Sequence, residues 1–219
     1  MKPIRVLQFA FIVGAAMLVY SFVATAQDGE LRKSCLSLCA LTPNYVGENK
    51  AAPDIRLKDL KGVERQLSDL RGKTVVLEFW TTTCTACRQQ MPALAEMAEI
   101  IKNDDRFAVL TVAVDDNLAA VQQMLMQTTR KPDPFPVLLD PESQFVLNRY
   151  GTKLFPETWL IDPEGVIRAR FDGPRDWSTA TAIDLLQSIS RGESCSMELQ
   201  GGIAVGRAAT VCEKSNAQM

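Results

Sequence analysis

Thr74-Val75-Val76-Leu77-Glu78-Phe79-Trp80-Thr81-Thr82-Thr83-Cys84-Thr85-Ala86-Cys87 is the stretch whose reading decides the fold. Its first seven residues are rich in β-branched and aromatic side chains and predict a buried strand. Beyond Cys87, Met91, Leu94, Ala95, Ala98 and Ile101 recur at helical spacing. The two cysteines therefore sit where a strand ends and a helix begins. At that point free backbone N–H groups and the helix dipole favour a thiolate, the species that attacks disulfides. A Cys-x-x-Cys in this setting is a redox signal, with Cys84 as nucleophile and Cys87 as the thiol that resolves a mixed disulfide. Two other readings are an inert structural disulfide and half of a zinc site completed by Cys35 and Cys39. Zinc needs four ligands, and the chain has no histidine.

On the N-terminal side, Ile55, Leu57 and Leu60 precede a Lys61-Gly62 turn, and Val63 and Leu67 follow it. That pattern predicts a hairpin, and Ser68-Asp69-Leu70 one helical turn. On the C-terminal side, Phe107 to Val114 predicts a second apolar strand and Leu118 to Met126 a helix. Pro132, Pro134 and Pro136 interrupt the chain, Val137-Leu138-Leu139 is a short strand, and Asp140-Pro141 opens a helix running to Tyr150. Thr158 to Ile161 and Val166 to Phe171 are strands joined by the turn Asp162-Pro163-Glu164-Gly165. Ser178 to Ile189 is a last amphipathic helix. Met91, Met97, Met124 and Met126 fall at helical spacing and are assigned to the core. The order predicts an α/β fold with a mixed central sheet flanked by helices, an N-terminal β-hairpin and an inserted helix.

The absence of histidine removes the commonest general base and metal ligand from all 219 residues. A net charge of −2 without a basic cluster argues against a nucleic-acid partner. Lys2 and Arg5 precede an apolar run from Val6 to Val23 that ends in Ala24-Thr25-Ala26. Residues 1–26 therefore read as a signal peptide or a retained signal anchor. Either carries the rest of the chain across a membrane. Residues 27–52 form an N-terminal extension with Cys35 and Cys39, residues 53–190 the main domain, and residues 191–219 a polar, Gly-rich tail with Cys195 and Cys212. In an oxidising compartment these four outer cysteines are candidates for structural disulfides. Three pairings are open; ties between the two extensions close the longest loops and restrain the unfolded chain most. Cys35 and Cys39 as a second redox pair is a further option.

The Phe79-Trp80 strand end, Cys84-x-x-Cys87 and Pro92 five positions later resemble the active-site segment of thioredoxin. Leu154-Phe155-Pro156-Glu157-Thr158-Trp159-Leu160-Ile161-Asp162-Pro163-Glu164-Gly165 resembles the cis-proline strand of the thioredoxin-like TlpA/ResA/CcmG group of envelope thiol-disulfide oxidoreductases. Ala52-Pro53-Asp54 and the insertion after Val114 match that group too, so the resemblance covers about residues 51–190. It implies a thioredoxin-like fold and a cis peptide at Phe155-Pro156 packed beside the cysteines, against the ordinary alternative of a trans turn proline. The backbone of Phe155 would then offer a β-like edge to a substrate. It also implies Thr85 and Ala86, between the cysteines, and Trp80 as parts of the substrate-facing surface; Trp80 is equally explained by core packing.

Glu78 stands where thioredoxin has a buried aspartate. It is either a desolvated carboxyl that takes the proton of Cys87 or a strand-edge carboxylate in solvent. Gln90 occupies a place where the group often has an acid. The implied activity is that of a periplasmic or otherwise extracytoplasmic oxidoreductase in cytochrome c-type biogenesis or copper-site assembly. It would reduce cysteine pairs of client proteins such as apocytochrome c and be recharged by a membrane electron-transfer partner. Membrane contact would be made only through an uncleaved N-terminus; no cofactor and no metal are expected. Two rival readings are a peroxiredoxin-like thiol peroxidase, suggested by Thr81-x-x-Cys84, and a Cu(I)-carrying chaperone of the same fold.

Overall fold

The computed structural model describes residues 12–23, 49–115, 117–193, 198–200 and 203–205. The chain divides into two compact units, one spanning residues 41–194 and the other residues 1–40 with 195–219.

The first unit is built on strand β3, Thr74–Trp80, every residue of which is buried. A strand covered on both faces has no polar side, and only Thr74 and Glu78 interrupt its apolar run. Helix α2, Thr85–Ile101, leads from β3 to strand β4, Phe107–Ala113, which lies parallel to β3 with Glu78 opposite Thr111. Helix α3, Leu118–Thr129, then connects β4 to the short strand β5, Val137–Leu139, parallel to β4. Strand β6, Glu157–Ile161, lies on the other side of β3, antiparallel, with Glu78 opposite Thr158. Strand β7, Ile167–Asp172, pairs with β6, and helix α4, Ala180–Ser190, completes the unit. The hairpin of β1, Arg56–Asp59, and β2, Glu64–Gln66, extends the β5 edge, followed by a 3-10 turn at Leu67–Leu70. The sheet order is β2-β1-β5-β4-β3-β6-β7.

Alternation along β3 sorts the core. Val75, Leu77 and Phe79 join Ile55, Leu110, Val112, Leu138, Tyr150 and Trp159 in one apolar cluster. On that face Tyr150 meets Phe79 and Trp159 edge-on, at 5.0 and 5.4 Å between centroids, and its hydroxyl donates to the Pro53 carbonyl at 2.7 Å. Glu78 and Trp80 point to the opposite face, toward the helices. The β6–β7 turn needs Gly165: its φ is +77°, and an added Cβ would lie 0.9 Å from Nη1 of Arg71, which donates to the Glu164 carbonyl.

Two expectations are corrected, and one element was not foreseen. The segment from Asp140 to Tyr150 is a chain of turns, not a helix. The Asp140 carboxylate accepts the N–H groups of Gln144, Phe145 and Val146 at 2.9–3.0 Å, and Ser143 has a left-handed φ of 52°. That local cap competes with a helical ladder and wins. Met126 is 47 % exposed, so it is not a core residue, although Met91, Met97 and Met124 are buried. The tail contains a second hairpin, of β8 (Glu198–Gln200) and β9 (Ile203–Val205).

Residues 12–23, helix α1, lie within the apolar run expected near the start. Among the described residues no helix is long and apolar enough to cross a membrane. Ala24-Thr25-Ala26 and the four outer cysteines lie outside the described residues.

Candidate active site

Cys84 is the N-cap of α2: its backbone is extended (φ −82°, ψ 110°) and its Sγ accepts the N–H of Cys87 at 3.0 Å. It is joined to Cys87 by a disulfide, with the Cα atoms 5.3 Å apart. The sulfurs differ in access. Cys87 is fully buried and Cys84 partly exposed. No acidic residue occupies the first turn of α2, so nothing there opposes the helix dipole.

The loop before Cys84 is clamped by Asp115, just past the end of β4. Its carboxylate accepts from the Thr81 hydroxyl at 3.1 Å, the Thr82 hydroxyl at 2.5 Å and the Thr82 N–H at 2.9 Å. Asp115 escaped sequence reasoning because it is 33 and 34 residues from its partners. The one available signal was a carboxylate at the mouth of an apolar strand beside the cysteine-bearing one.

The opposite wall is the start of β6. The Phe155-Pro156 peptide is cis. Cys84 Sγ lies 3.4 Å from the Phe155 carbonyl oxygen, and the Pro156 carbonyl accepts the Gly173 N–H at 2.9 Å. Thr85 is exposed, Ala86 and Phe155 are half-buried, and all three lie at or beside the accessible sulfur. Trp80 is different: at 0 % exposure its indole is core, and its expected place on the substrate-facing surface is corrected. The reason is the face it occupies, inward beneath the helices.

Glu78 is also at 0 % exposure, which excludes the strand-edge alternative. Its Oε1 accepts from Nε2 of Gln90 at 2.6 Å, and its Oε2 pairs with the Thr158 hydroxyl at 2.5 Å. Burial pushes its pKa up to about 8, against the two hydrogen bonds, with the neighbouring Glu157 carboxyl adding to the rise. Gln90 is one helical turn beyond Cys87, so α2 turns both buried side chains to the same side. Glu157 is buried as well, and burial holds its pKa above the ordinary value. It accepts from Thr152 and, at 2.8 Å, from Arg170. Glu157 and Thr158 stood inside a recognised segment, yet only the pairing of β3 with β6 gives them a partner or a neighbour in Glu78.

A cleft of about 650 Å³ is lined by the β1–β2 hairpin, the end of α2 and the Phe107–Leu110 part of β4, and includes neither cysteine. No group of three or more Cys, Asp or Glu among the described residues is arranged to hold a metal ion. The chemistry available at the cysteine pair is thiol-disulfide exchange, with the buried Glu78 carboxyl on β3, the strand that leads into it.

The comparisons agree with this geometry. The AhpC/TSA family model matches residues 49–170. The thiol-disulfide oxidoreductase ResA of Geobacillus kaustophilus is 38 % identical over 128 residues, 58 % of this chain and 71 % of the relative. ResA of Geobacillus thermodenitrificans is 35 % identical over 144 residues, 66 % of this chain and 77 % of the relative. A crystal structure assigned as the thiol:disulfide interchange protein DsbE of Chlorobium tepidum superposes with a TM-score of 0.58 at 30 % identity, covering 67 % of this chain and all of that one. With a mixed seven-stranded sheet, an α2 N-terminus capped by a cysteine and these relatives, the chain belongs to the AhpC/TSA family as a thioredoxin-like thiol-disulfide oxidoreductase.

Proposed function

We propose that the protein reduces disulfides in extracytoplasmic client proteins, with Cys84 as nucleophile and Cys87 as resolving thiol. The observation that carries this reading is the placement of one partly exposed sulfur at a helix N-terminus, 3.4 Å from the backbone carbonyl of Phe155. The reduced Cys84 thiolate attacks one client sulfur; the second leaves as a thiolate and takes a proton from solvent. Cys87 then gives its proton to the Glu78 carboxylate and attacks Cys84 Sγ, and the remaining client sulfur leaves. The client is reduced by two electrons and the Cys84–Cys87 disulfide is formed. On recharging, one thiolate of a membrane partner's dithiol attacks Cys84 Sγ, and the neutral Glu78 returns its proton to departing Cys87; the partner's second thiolate then attacks its own bridged sulfur, Cys84 leaves as a thiolate, and the partner keeps the disulfide. The Phe155 backbone pairs with the client main chain in β fashion, and Thr85 and Ala86 meet its side chains.

The reading includes export by the N-terminal segment, cleaved or retained, and clients such as apocytochrome c or copper-site assembly proteins. Structural disulfides among Cys35, Cys39, Cys195 and Cys212 and the extents 27–52, 53–190 and 191–219 belong to the same proposal. The peroxidase alternative finds less support, because the Thr81 hydroxyl is engaged by Asp115.

Cys87→Ser tests it. The variant should accumulate mixed disulfides on Cys84 in cells, released by reductant and identified by mass spectrometry. Trapped species that survive Cys84→Ser in the same background would overturn the assignment.

A further inference from the structure

The buried carboxyl has an asymmetric setting. The Oε1 of Gln90 accepts the backbone N–H of Arg175 at 2.7 Å, and a backbone N–H can only donate. This fixes the orientation of the amide, so Nε2 of Gln90 is the atom directed at Glu78, 2.6 Å from its Oε1. An amide nitrogen can only donate, so Glu78 Oε1 must accept whether Glu78 is charged or neutral. The Thr158 hydroxyl, 2.5 Å from Oε2, both donates and accepts.

We propose that Gln90 and Thr158 are positioning residues that fix which oxygen of Glu78 carries its proton. Gln90 keeps Oε1 an acceptor, so the proton resides on Oε2, the oxygen that faces the Thr158 hydroxyl. In the charged state Thr158 donates to Oε2; in the neutral state Oε2–H donates to Thr158. One rotation of a hydroxyl serves both states, while the Gln90 contact is unchanged. This deepens the proton-transfer role given to Glu78 above and rests on it.

The surroundings leave few competitors. Strand β6 brings Thr158 and the buried Glu157, β4 brings Thr111 opposite Glu78, and α2 brings Gln90. The loop after β7 contributes the Arg175 amide through Gln90. Arg88 and Glu96 of α2 and Asp184 of α4 are exposed. Glu157 is held by Thr152 and Arg170. Thr158 is two residues beyond Pro156, so the same strand carries the client-facing backbone and the hydroxyl that faces the Glu78 proton.

The test combines infrared difference spectra of oxidised and reduced protein with single-turnover kinetics across pH. Glu78→Gln assigns the carboxyl band. The neutral C=O band of wild type should lie at a hydrogen-bonded frequency and move upward in Gln90→Leu. Thr158→Val should shift the midpoint of that band to higher pH and slow the resolving step about tenfold, the effect of one lost hydrogen bond; Thr158→Ser should restore both. A C=O band unmoved in Gln90→Leu, or a midpoint and rate unmoved in Thr158→Val while Glu78→Gln alters the rate, overturns the proposal and leaves the role of Glu78 standing. A rate unchanged in Glu78→Gln removes that role and the proposal with it.

Discussion

Replacing Glu78 with Gln should make the oxidised protein more stable, and increasingly so as pH rises. The carboxyl has an ordinary pKa of 4.5 and is pushed up to about 8 by burial. Between those values the folded chain binds more protons than the unfolded one, so stability falls as pH rises through that window and levels off above pH 8. At about 1.4 kcal/mol for each pH unit, the gap amounts to about 5 kcal/mol, an upper figure for so buried a group. A glutamine has the shape and hydrogen-bonding capacity of the neutral acid: its oxygen can accept from Gln90 and its nitrogen can donate to Thr158. The variant should therefore match wild type near pH 4.5 and exceed it by several kcal/mol near pH 9. Urea unfolding of both proteins at a series of pH values, with the disulfide intact so that no thiol titrates, measures the difference. Glu157, also raised by burial, titrates in both proteins and largely cancels. Parallel stability curves from pH 4.5 to 9 would refute the claim that Glu78 is a desolvated acid.

Other outcomes follow from the same contacts. Asp115→Ala removes three hydrogen bonds from Thr81 and Thr82 and should lower stability by about 2 kcal/mol and slow disulfide exchange. Thermal unfolding and an insulin-reduction assay would show whether the loop before Cys84 needs that clamp. Gly165→Ala should cost about 1–3 kcal/mol, since it places a Cβ at positive φ and on Arg71; a melting temperature equal to wild type would contradict this. Cys87→Ser should yield the trapped client species described above.

Local patterns in the sequence were sufficient for much of the fold. The run from Thr74 to Trp80 carried enough β-branched and aromatic residues to be read to the residue, and the spacing of Met91, Leu94 and Ile101 marked the buried side of α2. The cysteine pair was legible because its chemistry depends on two adjacent elements. What failed depended on distance. The Asp140 segment has helix-compatible residues, but its carboxylate caps three successive amides and diverts the backbone. Trp80 was ambiguous until the face it occupies was known. Gln90 looked like a lost acid; in the fold it reaches across from α2 to the strand that holds Glu78. Asp115 and Thr158 acquire meaning only when β4 and β6 are laid on either side of β3.

The unequal burial of the bridged sulfurs has a kinetic consequence. With Cys87 sealed inside, the proposed roles require electron donor and electron acceptor to use the same atom, Cys84 Sγ, and so to visit in turn. On those roles no ternary complex should form, and each partner at high concentration should obstruct the other. Steady-state plots against the two partners should run parallel, the signature of a ping-pong shuttle, and throughput will be set by how the two are balanced in the compartment where the protein works.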